Sequence, residues 1–143
     1  MNRINIRGKN EIDDPFYRYK RDRVITQKLR NKVEIANLTK ISKDIERDPD
    51  ILISYLKLKF NSNFIDKNNK ITTTKNLENS QIESVINDFI QEYVLCEKCL
   101  LPETDLLYKD TIYLNCRCCS HLTKKNPDDK IIMKFINNTI KSG

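Results

Sequence analysis

Residues 93–119, YVLCEKCLLPETDLLYKDTIYLNCRCC, carry two C-x-x-C pairs, Cys96/Cys99 and Cys116/Cys119. A C-x-x-C turn lets two thiolates point at one centre, and two such turns complete the tetrahedral sulfur site that zinc prefers in a structural role. The spacing therefore predicts one structural Zn²⁺ held by these four cysteines. Disulfides and free buried thiols are the alternatives, but nothing in the sequence suggests export to an oxidising compartment.

Two more potential ligands lie close to the second pair. Cys118 could replace Cys119 only through a one-residue C-x-C spacing, which closes a turn poorly, so we interpret Cys118 as a free thiol. His121 could bind the metal in principle, but four thiolates already saturate a tetrahedral site. A saturated site also has no open position for a catalytic water.

The segment between the pairs predicts a β-hairpin, because residues 105–108 and 111–115 flank a polar turn. Two cysteine turns joined by a hairpin form a zinc ribbon. We expect a short linker at 123–126, followed by a final helix that ends near Lys141. Pro127 in the first turn favours that helix. Residues 93–143 are thus predicted to form a zinc-ribbon domain with a C-terminal helix.

Residues 24–92 predict a small α/β domain. VITQKL and VEIANL, within 24–38, are rich in β-branched residues and predict two strands. LKLKF at 56–60 alternates and predicts a strand, NSNFIDKNN is read as a polar turn, and a further strand is expected at 70–73. The whole chain is therefore predicted to be α+β: a small mixed sheet with helices, followed by the ribbon and its helix.

Two short helices are expected in the middle of this domain. Thr39 can cap a helix over 40–47, and Asp48-Pro49 provides a cap and first turn for the next. The pair could form a helix-turn-helix. We favour the simpler interpretation that they cover the sheet, because the second helix has no clear basic face to read DNA.

A longer amphipathic helix precedes the ribbon. Ser80 and Glu83 have the spacing of a capping box. Behind them, apolar residues recur at helical spacing, at Ile82, Val85, Ile86, Phe89 and Ile90. The stripe predicts ordinary core packing, and the helix leads directly into the ribbon.

Residues 1–23 form a polar segment that we interpret as a flexible arm with little to bury. Inside it lies DPFYRYK, residues 14–20, in which aromatic residues flank Arg18. Pro15 disfavours a helix at Asp14. The aromatic patch suggests docking, either onto this protein's own core or onto a partner.

Composition narrows the class of protein. The 143 residues have 26 Lys and Arg against 20 Asp and Glu, a net charge of +6. A basic surface fits a nucleic-acid or ribosomal partner, although lysine excess from an AT-rich genome would look the same. With no signal peptide and no membrane-spanning run, we expect a cytoplasmic protein, in the host cytoplasm if the source is viral. No phosphate-binding glycine motif is present, and one histidine leaves little acid–base chemistry, so we do not expect an enzyme.

The motifs together identify a family. The chain resembles the N-terminal domain of eukaryotic translation initiation factor 5, and more distantly the core of the beta subunit of initiation factor 2. The resemblance covers nearly the whole chain and rests on DPFYRYK at 14–20, NLTKISKDIERDPDILISYLKLKF at 37–60, DFIQEYVLC at 88–96, PETDL at 102–106 and the cysteine pairs.

The resemblance implies a factor that stimulates GTP hydrolysis by a partner, the gamma subunit of initiation factor 2 with GTP and initiator tRNA, on the small ribosomal subunit and its RNA. In this family the arginine of DPFYRYK, here Arg18, is the proposed arginine finger. Such a finger, delivered in trans, raises hydrolysis by about 10³–10⁵. The resemblance further implies a monomer whose partner-docking residues are Pro15, Phe16, Tyr17, Tyr19 and Lys20.

Several positions depart from the family. QKLRNKVEI stands where the family has a glycine-rich basic loop, Arg21-Asp22 replaces the usual Met-Pro, and Ser120 replaces a glycine. We also expect the family's separate C-terminal helical-repeat domain to be absent. One alternative is a non-activating module that resembles the beta subunit of factor 2 and binds ribosome or initiator tRNA. Another is a viral or transcription-type zinc ribbon that binds DNA, which would leave DPFYRYK unexplained.

Overall fold

The computed structural model describes residues 3–6, 8, 17, 19–67, 70–108 and 111–125. The helix expected between Asn126 and Lys141 lies outside these residues, as do Pro15, Phe16 and Arg18.

Twelve elements follow one another along this part of the chain. The strands are β1 Arg3–Asn5, β2 Lys20–Asp22, β3 Thr26–Leu29, β4 Lys32–Ile35, β5 Phe64–Lys67, β6 Lys70–Thr73, β7 Thr104–Tyr108, β8 Ile112–Cys116 and β9 Leu122–Lys125. The helices are α1 Leu38–Asp44, α2 Pro49–Phe60 and α3 Asn79–Tyr93.

Three antiparallel sheets organise the strands. β1 pairs with β2, the central sheet has the order β3-β4-β6-β5, and the ribbon has the order β7-β8-β9. The α+β class is confirmed. The expectation of a mixed sheet is wrong, because every strand pair among the described residues is antiparallel.

One hydrophobic core joins the central sheet to the helices. Ile35 and Ile71 are directly opposite on neighbouring strands, and both are fully buried. They share a cluster with Leu52 and Leu56 of α2 and with Phe89 of α3. The β-branched residues that alternate along β4 therefore face these helices, as expected for a half-buried strand.

The helix α2 is longer than the sequence predicted. Residues 56–60 were expected to form a strand, but they continue the helix to Phe60, and Asn61 ends it in a left-handed conformation. Leu56 is fully buried and Phe60 nearly so, because α2 packs into the core on most of its circumference. The strand of this region is β5 instead, and it lies within residues 61–69, which the sequence predicts to be a polar turn. This burial fits helices that cover a sheet.

Two predicted helix caps are also wrong, while the cap of α2 at Asp48 is confirmed. The helix α1 begins at Leu38 after Asn37, rather than after Thr39. The helix α3 uses Glu78 and Gln81 as its capping box. Glu83 is not available as a cap, because its carboxylate accepts the backbone N–H of Val24 at 3.0 Å.

The described parts of residues 1–23 are packed, in contrast to the expectation of little to bury. Ile6 and Arg21 are buried. Gly8 has a φ of +58°, and a Cβ there would lie 2.8 Å from Gln91 Oε1 of α3. The N-terminal segment therefore lies tightly along α3.

The ribbon is continuous with the core. Val94 and Leu95, which follow α3, belong to the main cluster together with Ile112 of β8. Residues 123–125, expected to begin a linker, instead form part of β9, where Thr123 pairs with Leu114. No helix in the described ranges is long and apolar enough to cross a membrane.

Candidate functional site

Four cysteine sulfurs meet at one end of the ribbon. The Sγ atoms of Cys96, Cys99, Cys116 and Cys119 all lie within 4.8 Å of one another. Cys96 and Cys119 are 3.6 Å apart, as are Cys99 and Cys116. Four clustered sulfurs from two C-x-x-C turns are consistent with one structural zinc site, as the sequence predicted.

The two turns share one geometry. Leu100 donates its N–H to the carbonyl of Cys96, and Ser120 donates to the carbonyl of Cys116, both at 3.0 Å. Both donors have positive φ, +63° for Leu100 and +65° for Ser120. Glycine adopts this left-handed conformation without strain, so the glycine that the family resemblance implies at position 120 would fit there.

Backbone N–H groups point at the sulfurs from within each turn. Lys98 donates to Cys96 at 3.3 Å, and Cys119 donates to Cys116 at 3.5 Å. Burial opposes ionisation of Cys116, but the backbone N–H groups of Cys119 and Cys118 lower the pKa of its thiol to about 7. Donors aimed at sulfur stabilise the thiolate, which is the form that binds a metal.

The two alternative ligands are engaged elsewhere. Cys118 is exposed, and its Sγ donates to Glu103 Oε2 at 2.5 Å, which raises the pKa of the Cys118 thiol. His121 Nε2 lies 2.7 Å from Glu97 Oε2, and that hydrogen bond lowers the pKa of Glu97. Neither residue is a member of the cluster of four sulfurs.

Two described residues of the DPFYRYK motif, Tyr17 and Tyr19, pack together, and Tyr19 contacts the ribbon. The rings of Tyr17 and Tyr19 are in an edge-to-face contact, with centroids 5.4 Å apart. The hydroxyl of Tyr19 donates to Glu103 Oε1 at 2.6 Å, and that of Tyr17 donates to the carbonyl of Ile6 at 2.9 Å. Burial, with smaller contributions from Tyr19 and Cys99, raises the pKa of Tyr17 to about 12.

The described part of the motif therefore docks onto this protein's own fold. Lys20 Nζ donates to Asn5 Oδ1 at 2.7 Å, across the β1–β2 pair. Tyr17 and Tyr19, the neighbours of Arg18 in the chain, are both bonded to other parts of the fold. Pro15, Phe16 and Arg18 themselves lie outside the described residues. Tyr19 and the second metal-binding turn are distant in sequence, but both contact Glu103.

A buried arginine that sequence reasoning missed connects the ribbon to the helices. Arg47, between α1 and α2, is 7% exposed. Its guanidinium donates to the carbonyl of Tyr93, the last residue of α3, and to the carbonyl and hydroxyl of Thr104 at the start of β7. No local pattern in the sequence marks it, because its acceptors are brought together only by the fold.

A second arginine reinforces the same junction from the second cysteine turn. Arg117 pairs with Asp105 at 2.6 Å and with Glu46 at 2.5 Å. Its N–H also donates to the carbonyl of Glu103 at 2.8 Å. The second metal-binding turn is thus tied to both the hairpin and the helices.

A third arginine holds the N-terminal segment onto α3. Arg21 is fully buried, and its Nη2 lies 2.7 Å from Glu83 Oε1. Arg21 also donates to the carbonyl of Asp22 and to Asn87 Oδ1. Arg21, where the family resemblance implies Met-Pro, therefore forms a buried ion pair with Glu83.

A basic groove lies beside the turn between β3 and β4. It has a volume of about 230 Å³ and is lined by that turn and by the residues after β6. Its charged members are Lys28, Arg30, Lys32 and Lys75, all exposed at the surface. Lys28 is paired with Glu78 at 2.6 Å. The groove presents cations without the glycines expected of the family's loop.

Comparison with known proteins gives a consistent set of matches. The model of a domain found in initiation factors 2B and 5 matches residues 9–122. Eukaryotic translation initiation factor 5 of Dictyostelium discoideum is 28% identical over 99% of this chain and 37% of its own length. The Caenorhabditis elegans factor 5 is 32% identical over 76% of this chain and 26% of its own length, and the Mus musculus factor 26% over 94% and 34%. The chain spans about a third of the length of these curated relatives.

Proposed function

Because this chain belongs to the family of the domain found in initiation factors 2B and 5, we propose that it stimulates GTP hydrolysis in translation initiation. Its target is the gamma subunit of initiation factor 2, loaded with GTP and initiator tRNA on the small ribosomal subunit during start-codon selection. Arg18 is the arginine finger supplied in trans. The chain itself is not an enzyme, since the GTPase site belongs to the partner.

The observation that supports this assignment is the anchoring of both neighbours of Arg18. Tyr17 and Tyr19 pack edge to face and bond through their hydroxyls to Ile6 and Glu103. An arginine finger must deliver its guanidinium to a fixed position, where it stabilises charge on the transferring phosphoryl group. A finger with anchored neighbours loses less conformational freedom when it acts.

The motif residues divide into two groups in this proposal. Tyr17 and Tyr19 are internal anchors, because their hydroxyls bond within this chain. In this proposal they also dock onto the partner. Pro15, Phe16 and Lys20 are the further docking residues. Lys20 Nζ bonds Asn5 from the edge of the same small sheet.

The four clustered cysteines bind one structural zinc ion in this proposal. When bound, the ion fixes the two turns and takes no part in hydrolysis, since four thiolates fill its tetrahedral coordination. The second turn carries Arg117 and Cys118, which contact Asp105, Glu46 and Glu103. The metal therefore shapes the surface on which the motif docks. We further propose that the protein acts as a monomer in the cytoplasm.

The decisive experiment varies Arg18. GTP hydrolysis is measured on a complex of factor 2, GTP, initiator tRNA and the small ribosomal subunit, with the full chain added at saturating concentration. Arg18→Ala should lower the stimulated rate by about 10²-fold or more, while binding stays near wild type. Arg18→Lys should rescue little, because an ammonium lacks the planar fork of a guanidinium. Unchanged hydrolysis in both variants would overturn the proposal.

A second candidate function is supported by the basic groove. Arg30, Lys32 and Lys75 could contact phosphates of ribosomal RNA or initiator tRNA without any effect on hydrolysis. A chain with only this function would resemble the beta subunit of factor 2. It would bind normally and would not stimulate hydrolysis, with or without Arg18.

A further inference from the structure

The carboxylate of Glu103 joins two segments that lie far apart in sequence. Its Oε1 accepts the Tyr19 hydroxyl at 2.6 Å, and its Oε2 accepts the Cys118 thiol at 2.5 Å. The Glu103 carbonyl also accepts the N–H of Arg117 at 2.8 Å. One side chain thus connects Tyr19 of the DPFYRYK motif to the second metal-binding turn.

Glu103 projects from a rigid part of the molecule. The next residue, Thr104, is fully buried and begins β7. Its hydroxyl donates to the carbonyl of Val94 at 2.5 Å, and Arg47 donates to both its carbonyl and its hydroxyl. A side chain held on such a base can define the position of whatever it binds.

Tyr19 is held at its main chain as well as at its hydroxyl. Its carbonyl accepts the N–H of Ile6 at 2.8 Å, and Ile6 is buried. The Tyr17 hydroxyl donates to the carbonyl of the same residue. The contact with Glu103 therefore relates the two neighbours of Arg18 to the ribbon.

We propose that Glu103 is a positioning residue for Arg18, acting through the Tyr19 hydroxyl; this rests on the function proposed above. Hydrogen bonds between a hydroxyl and a carboxylate are short and stronger than those between neutral groups. Loss of the bond frees the motif to move relative to the ribbon. Small displacements of a catalytic group reduce rates steeply, by about 10²-fold for 1 Å.

The test uses the same hydrolysis assay, with rate measured against factor concentration. Tyr19→Phe removes only the hydroxyl, and Glu103→Gln removes the charge at nearly constant volume. Each should lower the maximal stimulated rate by about tenfold and leave the half-maximal concentration within about twofold. The double variant should be no worse than the poorer single variant, because both substitutions act on the same contact: Tyr19→Phe removes its donor, and Glu103→Gln removes the charge that strengthens it. Glu97→Gln, which alters an exposed carboxylate bonded to His121 on the same ribbon, is the matched control and should behave as wild type.

The role of Glu103 through Arg18 is checked in the Arg18→Ala background. There, Tyr19→Phe and Glu103→Gln should cause no further loss of rate. A further loss of similar size would show that Glu103 acts by general destabilisation and would overturn the proposal. Unaltered rates for both variants in the wild-type background, with Arg18→Ala still defective, would also overturn it and leave the arginine finger intact.

A readout independent of hydrolysis separates this inference from the proposed function. Trypsin cleavage after Arg18, followed by mass spectrometry on the zinc-loaded chain, should accelerate about tenfold in Tyr19→Phe and Glu103→Gln at an unchanged Tm. Unchanged cleavage would show that Glu103 does not hold the motif. Faster cleavage, together with stimulated hydrolysis that is unchanged in Arg18→Ala, would refute the finger and therefore its positioning by Glu103. The contact between Glu103 and Tyr19 would still stand.

Discussion

Arg47 donates two hydrogen bonds to the carbonyl oxygen of Tyr93, from Nε at 3.1 Å and from Nη2 at 2.8 Å. Tyr93 is the last residue of α3, so the guanidinium sits at the negative end of the helix dipole. The same side chain reaches the carbonyl of Thr104 at 2.9 Å. Burial lowers the pKa of Arg47 to about 10, which still leaves it charged at neutral pH. One buried cation thus holds the helix end and the ribbon together.

Replacing Arg47 should destabilise the fold strongly. Arg47→Met fills much of the space but leaves the carbonyls of Tyr93 and Thr104 without these donors. Each buried acceptor left unsatisfied costs about 1–3 kcal/mol, so we expect a loss of about 3 kcal/mol in the free energy of unfolding, measured in urea. Arg47→Lys keeps the charge but has fewer donors, so its free energy of unfolding should lie between those of the wild type and Arg47→Met. A loss of under about 1 kcal/mol for Arg47→Met would contradict this account.

Metal analysis of protein purified under reducing conditions without chelator should give one zinc per chain. Removing it should unfold the ribbon, since structural zinc contributes on the order of 10 kcal/mol in small fingers. Zinc should also be released as pH falls, because protonated thiols do not bind it. Circular dichroism with chelator titration checks both.

Two neighbouring cysteines provide the control for this prediction. Cys119→Ser removes one of the four clustered sulfurs and should release the metal at much lower chelator concentration. Cys118→Ser changes an exposed thiol outside the cluster and should retain one zinc. Equal retention by the two variants would mean that the ligand set is different.

The ribbon was predictable from sequence because ligand spacing constrains geometry directly. The four cysteines and the hairpin between them lie where the spacing requires. The length of α2 could not be predicted from sequence, because Leu56, Leu58 and Phe60 alternate as they would in a strand. Only burial on several sides favours the helix. Local patterns cannot distinguish these cases when tertiary packing overrides propensity.

Buried charge was the other feature that sequence could not show. Arg21 and Arg47 belong to the residue types that are normally exposed, and their acceptors come from distant elements. The DPFYRYK motif predicted docking of aromatic residues, but not that Tyr19 would bond Glu103 on the ribbon. Its partner is 84 positions away, and sequence spacing carries no information at that range.

The ion pair between Arg21 and Glu83 should respond asymmetrically to substitution. Glu83→Gln leaves a fully buried guanidinium that cannot lose its proton, and we expect a loss of about 3–5 kcal/mol. Arg21→Met leaves a partly exposed carboxylate that still accepts the Val24 N–H, so about 1–3 kcal/mol is expected. The double variant should lose less free energy of unfolding than the sum of the two single losses. Additive losses in urea denaturation would show that the pair is not coupled.

Substitutions in the basic groove should weaken RNA binding in a salt-dependent way. Arg30→Gln and Lys75→Gln each remove one exposed groove cation. If each contacts a phosphate, the slope of log Kd against log salt for a short single-stranded RNA should fall by about 0.7 per substitution. Lys57→Gln, on the exposed side of α2, makes the same charge change away from the groove and should have no effect. Equal changes in all three variants would indicate that RNA binding depends on net charge alone and not on the groove.

The contact of Gly8 with α3 predicts how the N-terminal segment responds to an added side chain. Gly8 has a φ of +58°, and an added Cβ would lie 2.8 Å from Gln91 Oε1 and 3.1 Å from the Gln91 backbone. Gly8→Ala combines left-handed strain of about 1–2 kcal/mol with this crowding, and should release the segment from the helix. Trypsin cleavage after Arg3 and Arg7 should then accelerate, and unchanged cleavage would contradict the contact.

A second substitution at Gly8 separates strain from crowding. Gly8→Asn tolerates the left-handed conformation but carries the same Cβ. If backbone crowding dominates, Asn should be as disruptive as Ala, and Gln91→Ala should rescue neither fully, because the 3.1 Å contacts to the main chain persist. Recovery of wild-type protection by Asn alone would assign the effect to strain.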